Sequence, residues 1–96
     1  MKIKDLKNGM REVNVEGVIT AKSETRSFVS KRTGRRLYVA EATLRDDTGE
    51  ITLVLWNRQI REYNPGDRVR ITNGYVNEFR GNLQLNIGRM GKIEKI

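Results

Sequence analysis

Ninety-six residues make one domain, 1–96, with no room for a second core, and a chain of this size buries about two-thirds of its unfolded surface on folding. The chain has no cysteine and no histidine, which removes disulfides, thiolate zinc sites, the commonest nucleophilic thiol and the commonest general base. A net charge of +7 attracts polyanions over long range, so the distribution of that charge is the next question.

Lys4 to Met10 is a short polar lead with Leu6 as an apolar anchor and Gly9 as a stop. Val13 to Lys22 reads as the first strand, where Val13 and Val15 alternate with Asn14 and Glu16. Gly17 inside it predicts a bulge or bend, because Val18-Ile19 breaks strict alternation. The pattern carries this strand on through Phe28 and Val29 to a turn at Lys31-Arg32-Thr33-Gly34. Within Lys22 to Arg36 lie Lys22, Arg26, Lys31, Arg32, Arg35 and Arg36 against one acid, Glu24, so the charge is clustered.

Leu37 to Arg45 is the second predicted strand, with Ala40, Ala42 and Leu44 on one face. The Asp46-Asp47-Thr48-Gly49 turn joins it to a third strand in which Ile51, Leu53 and Leu55 face the core. Thr52, Val54 and the only tryptophan, Trp56, take the opposite face. Asn57 to Tyr63 predicts one to two helical turns with Asn57 as N-cap and Ile60 and Tyr63 facing inward. Asn64-Pro65-Gly66-Asp67 then forms a type II turn.

The fourth predicted strand, Arg68 to Phe79, changes parity in its middle. Val69 and Ile71 alternate normally, but Val76 has the opposite parity, and Gly74 stands where the pattern breaks. A bulge at Asn73-Gly74 sends Val76 inward and Tyr75, Asn77 and Phe79 outward. Arg80-Gly81-Asn82 is a hairpin turn into a fifth strand with Leu83, Leu85 and Ile87 on one face and Gln84 and Asn86 on the other. Gly88 to Ile96 continues it irregularly, with Ile93 in the core.

Five strands with internal glycines, and a short helix between the third and fourth, predict an all-β, five-stranded Greek-key barrel of the OB type. An SH3-like barrel is the nearest competitor, and its strands and loops are shorter. OB barrels bind oligonucleotides on the face of strands two and three.

No catalytic constellation is present. Asp46, Asp47 and Glu50 surround a hairpin turn, where turn formation explains them more simply than magnesium binding, and no phosphate loop occurs. The expectation is a non-enzymatic binding module without metal or cofactor. Binding a single strand requires cations along the backbone and aromatic faces for the bases. Trp56, Tyr75 and Phe79 are the candidate stacking faces, with Arg80 beside them and Asn77, Gln84 and Asn86 available to base edges. Phe28 joins this set, though it reads first as a loop anchor or minor-core residue.

Arg26-Ser27-Phe28, Gly34, the Asp46-Asp47-Thr48-Gly49 turn and the strand ending Leu53-Val54-Leu55-Trp56 resemble the replication protein A class of single-stranded DNA-binding OB domains. The run from Asn73-Gly74-Tyr75 to Phe79-Arg80-Gly81-Asn82-Leu83-Gln84-Leu85-Asn86 is similar to the compact archaeal single-stranded DNA-binding proteins. The resemblance implies sequence-tolerant single-stranded DNA binding in replication, recombination or repair, with bases stacked on Trp56, Tyr75 and Phe79. Tyr75 stands where the compact archaeal proteins usually have Trp, which keeps a stacking face. Those proteins carry a flexible tail, so the expectation here is the first OB domain of a longer multi-OB protein, with other OB domains or replication and repair proteins as partners.

Two alternatives share this module: single-stranded RNA or tRNA binding, since no residue reports on the 2′-hydroxyl, and an OB fold that docks a peptide. No apolar run approaches the ~20 residues of a membrane span and the N-terminus has no signal-peptide core, so a cytoplasmic, nucleoid-associated protein without membrane partners is expected.

Overall fold

The computed structural model describes all residues from Met1 to Ile96. A short 3-10 helix, Ile3–Asp5, precedes β1 (Val13–Lys22), β2 (Arg26–Val29), β3 (Arg36–Asp46) and β4 (Gly49–Trp56). Helix α1 (Arg58–Glu62) follows, then β5 (Arg68–Phe79), β6 (Asn82–Asn86) and β7 (Lys92–Lys95). The sheet order is β1-β3-β4-β6-β5-β7, and β1 also pairs with β5. That last pairing closes β1, β3, β4, β6 and β5 into a ring, so the expected five-stranded barrel with its inserted helix is present. All pairings are antiparallel except β4 with β6.

Alternation explains the core. Ala40, Ala42 and Leu44 on β3 meet Leu55, Leu53 and Ile51 on β4 in register, and all six are buried. Val69, Ile71 and Val76 of β5 and Leu85 of β6 complete the interior. Each fully buried Leu or Ile contributes about 1.5–3 kcal/mol of hydrophobic stabilisation. On β5 the inward parity runs Val69, Ile71, Gly74, Val76, and the pairing with β1 slips by one residue between Val13↔Gly74 and Val15↔Ile71. Asn73, at φ 55, is the extra residue of that bulge. It sends Tyr75, Asn77 and Phe79 to the outside, as their parity with Val76 requires.

Gly17 has a different role from the bulge its sequence context suggests. Inward alternation runs unbroken through Val13, Val15, Gly17 and Ile19, and the irregularity on β1 falls between Ile19 and Ala21. A Cβ at Gly17 would lie 2.6 Å from the Arg45 carbonyl oxygen, so close approach of β3 is what excludes a side chain there.

The first strand also ends sooner than its apolar pattern indicates. Residues 23–25 leave the ladder, and β2 forms its own hairpin with the start of β3, every residue exposed. Ser23 is held instead to Glu41, its N–H donating to the Glu41 carbonyl and its hydroxyl to the carboxylate. Asn57, at φ 53, does not cap α1 with its side chain. Its Oδ1 accepts from the Tyr38 N–H at 3.1 Å, which ties the β4 exit to β3. Ile60 and Tyr63 are buried as expected, and the Tyr63 hydroxyl donates to the Ile93 carbonyl. Gly88 to Ile96 is not one continued strand: a turn closes through Gly91 N–H to Gly88 C=O, and β7 then pairs with β5 with Ile93 half-buried.

The Asp46–Gly49 turn holds the N-terminal lead against the barrel. Asp46 accepts hydrogen bonds from the N–H groups of Ile3, Thr48 and Gly49 and from the Thr48 hydroxyl, while Thr48 Oγ1 accepts from the Lys4 N–H. Ile3 and Leu6 are thereby buried against the core. Partial burial pulls the Asp46 pKa up, and the Thr48, Ile3 and Gly49 hydrogen bonds outweigh it, leaving the pKa lowered from 3.8 to about 2.

Candidate nucleic-acid interface

The outer faces of four neighbouring strands make one open groove of about 630 Å³. β3 and β4 contribute Val39, Glu41, Val54 and Trp56, with Val39 opposite Trp56 and Glu41 opposite Val54. β6 contributes Gln84 and Asn86, and β5 contributes Tyr75, Asn77 and Phe79. β2 overhangs this surface with Arg26, Ser27 and Phe28. The groove therefore crosses the sheet in the order β3, β4, β6, β5, perpendicular to the strands.

Its floor is apolar on one side, where Val39 and Val54 are buried, and polar on the other. Asn86 is the single buried polar residue of the chain, and its Nδ2 donates to Asn77 Oδ1 at 3.0 Å. Tyr75 is 41% exposed and Phe79 54% exposed, so both aromatics of β5 reach the surface at the groove. Trp56 is half-buried, with Phe28 edge-on at 6.0 Å between centroids. Phe28 is thus an anchor for Trp56 and a groove residue at once. Arg80 lies outside the groove lining, its guanidinium 5.2 Å from the Phe79 ring centroid. The Arg80-Gly81 turn has both φ angles positive, at 53° and 82°, as a two-residue type I′ hairpin demands.

Among the expected cations the structure sorts different roles. Arg26 reaches the groove and pairs with the Glu41 carboxylate. Lys22 does not: its Nζ donates to the Ile60 carbonyl at 2.6 Å, to Asn64 Oδ1 at 2.7 Å and to the Tyr63 carbonyl at 3.3 Å. It closes the C-terminal end of α1, so its place among the groove cations is corrected to a structural one. Lys31, Arg32 and Arg35 sit exposed on the β2–β3 hairpin loop, beyond the groove lining. That loop is ordered by Ser30 N–H to Arg35 C=O and Gly34 N–H to Ser30 C=O, both 2.8 Å. Arg36 at its base donates to Ser27 Oγ at 3.1 Å.

Four groove residues escaped the sequence reading as ligand contacts: Ser27, Val39, Glu41 and Val54. Val54 shares the parity of Trp56, which is the signal for it. Val39 and Glu41 share the face opposite to Ala40 and Ala42, so alternation on β3 contained the same information. The pairing of Glu41 with Arg26 depends on β2 folding back over β3, which no local pattern reports.

A five-stranded closed barrel with β4 parallel to β6, a helix between β4 and β5, and a polar-aromatic groove across its face is an OB fold. Residues 5–95 match the family described as single-stranded DNA binding protein Ssb-like, OB fold, and the chain belongs to that family. It is 35% identical over 92 residues to the single-stranded DNA binding protein Ssb of Saccharolobus solfataricus, covering 96% of this chain and 61% of that one. The solution structure of an OB domain from Thermoplasma acidophilum superposes with a TM-score of 0.81 at 29% identity, covering 100% of this chain and 85% of that one. A replication factor A related protein from Methanobacterium thermoautotrophicum gives a TM-score of 0.81 at 26% identity, covering 100% and 89%. No helix is long and apolar enough to cross a membrane.

Proposed function

We propose that this chain is a non-catalytic module that binds single-stranded DNA largely without regard to sequence. The observation that carries the reading is the convergence of Trp56, Tyr75 and Phe79, with Phe28, on one open groove whose floor offers amide groups. Stacking is sequence-tolerant because every base has a π-face, and each stacked base is worth about 1–3 kcal/mol. Arg26, Arg80 and the hairpin cations Lys31, Arg32, Arg35 and Arg36 neutralise phosphates at the groove and its margin, while Asn77, Gln84 and Asn86 meet base edges. Membership of a family of single-stranded DNA-binding OB domains supports the same substrate.

Work in replication, recombination or repair, beside the nucleoid in the cytoplasm, follows from that substrate. The chain spans 61% of the length of the Saccharolobus relative, so other OB domains or replication and repair proteins as partners belong to this proposal as well. The experiment is a competition between matched dT and rU oligomers on wild-type protein and on Trp56→Ala, Tyr75→Ala and Phe79→Ala. Preferential dT binding, weakened about 5- to 150-fold by each truncation in a folded protein, supports the reading. Equal binding by all three folded variants contradicts stacking. Tighter binding of rU moves the assignment to RNA, and no binding of either moves it to peptide docking.

A further inference from the structure

Tyr75 borders two concavities. On one side lies the groove; on the other is a recess of about 400 Å³ between Arg11-Glu12 and the turn carrying Gly88, Arg89 and Met90. The ring rests on the turn, since a Cβ at Gly88 would lie 3.1 Å from Tyr75 Cε1. Met90 is 80% exposed, the most exposed large apolar side chain of the protein. Its backbone is nevertheless held, by Asn73 Nδ2 donating to the Met90 carbonyl and by the Gly91 N–H donating to Gly88. Arg11 and Arg89 are exposed and take part in none of the chain's ion pairs. Glu12 is the one acid at the recess, held at φ 54 with its carbonyl accepting from Asn14.

An exposed thioether on the turn that carries Gly88, with two guanidiniums outside every ion pair, offers an apolar face and two phosphate partners. A peptide partner would find the same apolar face, but only a polyanion uses both cations, and the recess shares Tyr75 with the groove. We propose that the recess is an extension subsite for the same single strand. The nucleotides that follow the base on Tyr75 pass along the recess, their phosphates meeting Arg11 and Arg89 and a base lying on Met90. This rests on the groove being a single-stranded DNA site, and it adds a second end to the path that the strand follows.

The test is the length dependence of oligo-dT binding, from about 4 to about 12 nucleotides, within the span of sites known for OB folds. Wild-type protein is compared with Arg11→Gln/Arg89→Gln, with Met90→Ser, and with Lys4→Gln/Arg68→Gln as a control of equal charge change away from both concavities. The expected result is that the recess variants match wild type on the shortest oligomers that quench Trp56 and lose the gain that longer oligomers bring. For the double arginine variant the log–log salt slope on long oligomers becomes shallower by about 1.4, at ~0.7 per phosphate contact, while the control keeps its length dependence. Equal losses in the recess variants and the control at every length would overturn the subsite and leave the groove standing. Absence of Trp56 quenching by any oligomer with the wild-type protein would instead overturn the groove reading, and the subsite with it.

Discussion

The ring of Phe28 stands edge-on to the indole of Trp56, with centroids 6.0 Å apart and planes at 75°. β2 has no place in the barrel ring, and this contact ties it to the groove floor. Such pairs are worth about 0.5–1.5 kcal/mol beyond the area they bury. Phe28→Ala should therefore weaken oligo-dT binding by about 2- to 12-fold through a less fixed Trp56. The loss in urea unfolding should stay within about 0.5–1.5 kcal/mol, because Phe28 is outside the core.

Glu41 puts a negative charge in the groove proposed to hold a polyanion and pairs with Arg26 there. Glu41→Gln removes the repulsion and frees the guanidinium for a phosphate. Affinity for oligo-dT should rise several-fold at low salt, and the log–log salt slope should steepen by about 0.7. Titrations at two salt concentrations check both numbers.

Lys22 separates charge from position. Its ammonium caps the α1 carbonyls rather than a nucleic-acid track. Lys22→Met should cost about 1.5–3 kcal/mol in urea unfolding, the range of hydrogen bonds to charged groups. Oligo-dT affinity, measured where the variant is folded, should fall no more than for loss of any remote charge.

Asp46 makes stability depend on acid. Its folded pKa of about 2 lies below the ordinary 3.8, so the unfolded chain takes up the proton first as pH falls. The stabilisation is complete above about pH 4 and is lost as pH falls through about 2. Allowing for solvent screening at this half-buried turn, it amounts to about 1–2 kcal/mol. Asp46→Asn should lose that amount at neutral pH, and its stability should fall less steeply between pH 4 and pH 2 in acid-dependent unfolding.

These cases mark how far the residues alone carry the fold and the site. The parity change between Ile71 and Val76 around Gly74 encodes the β5 bulge, and with it the outward placement of Tyr75 and Phe79. The alternation from Ile51 to Trp56 likewise assigns both faces of β4. At Gly17 only the bulge half of the bulge-or-bend expectation fails, because a glycine in a strand also signals a close neighbour, and the position of the Arg45 carbonyl decides. Asn57 is an N-cap type whose oxygen was claimed by a strand 19 positions earlier in the chain. Lys22 belongs to a basic run by sequence, but its partners lie 38 to 42 residues away. Local pattern fixes faces; long-range hydrogen bonds redistribute the polar side chains on them.

Stacking of bases on Trp56 is tested most directly by titrating its fluorescence with oligo-dT at two salt concentrations. Trp56 is the only tryptophan, so the signal has one source. The expected result is saturable quenching, with affinity falling as salt rises along a log–log slope of roughly −2 to −3.5, for about 3–5 neutralised phosphates. Unchanged fluorescence at saturating oligo-dT would contradict stacking on Trp56, and an affinity indifferent to salt would contradict the phosphate contacts proposed beside it.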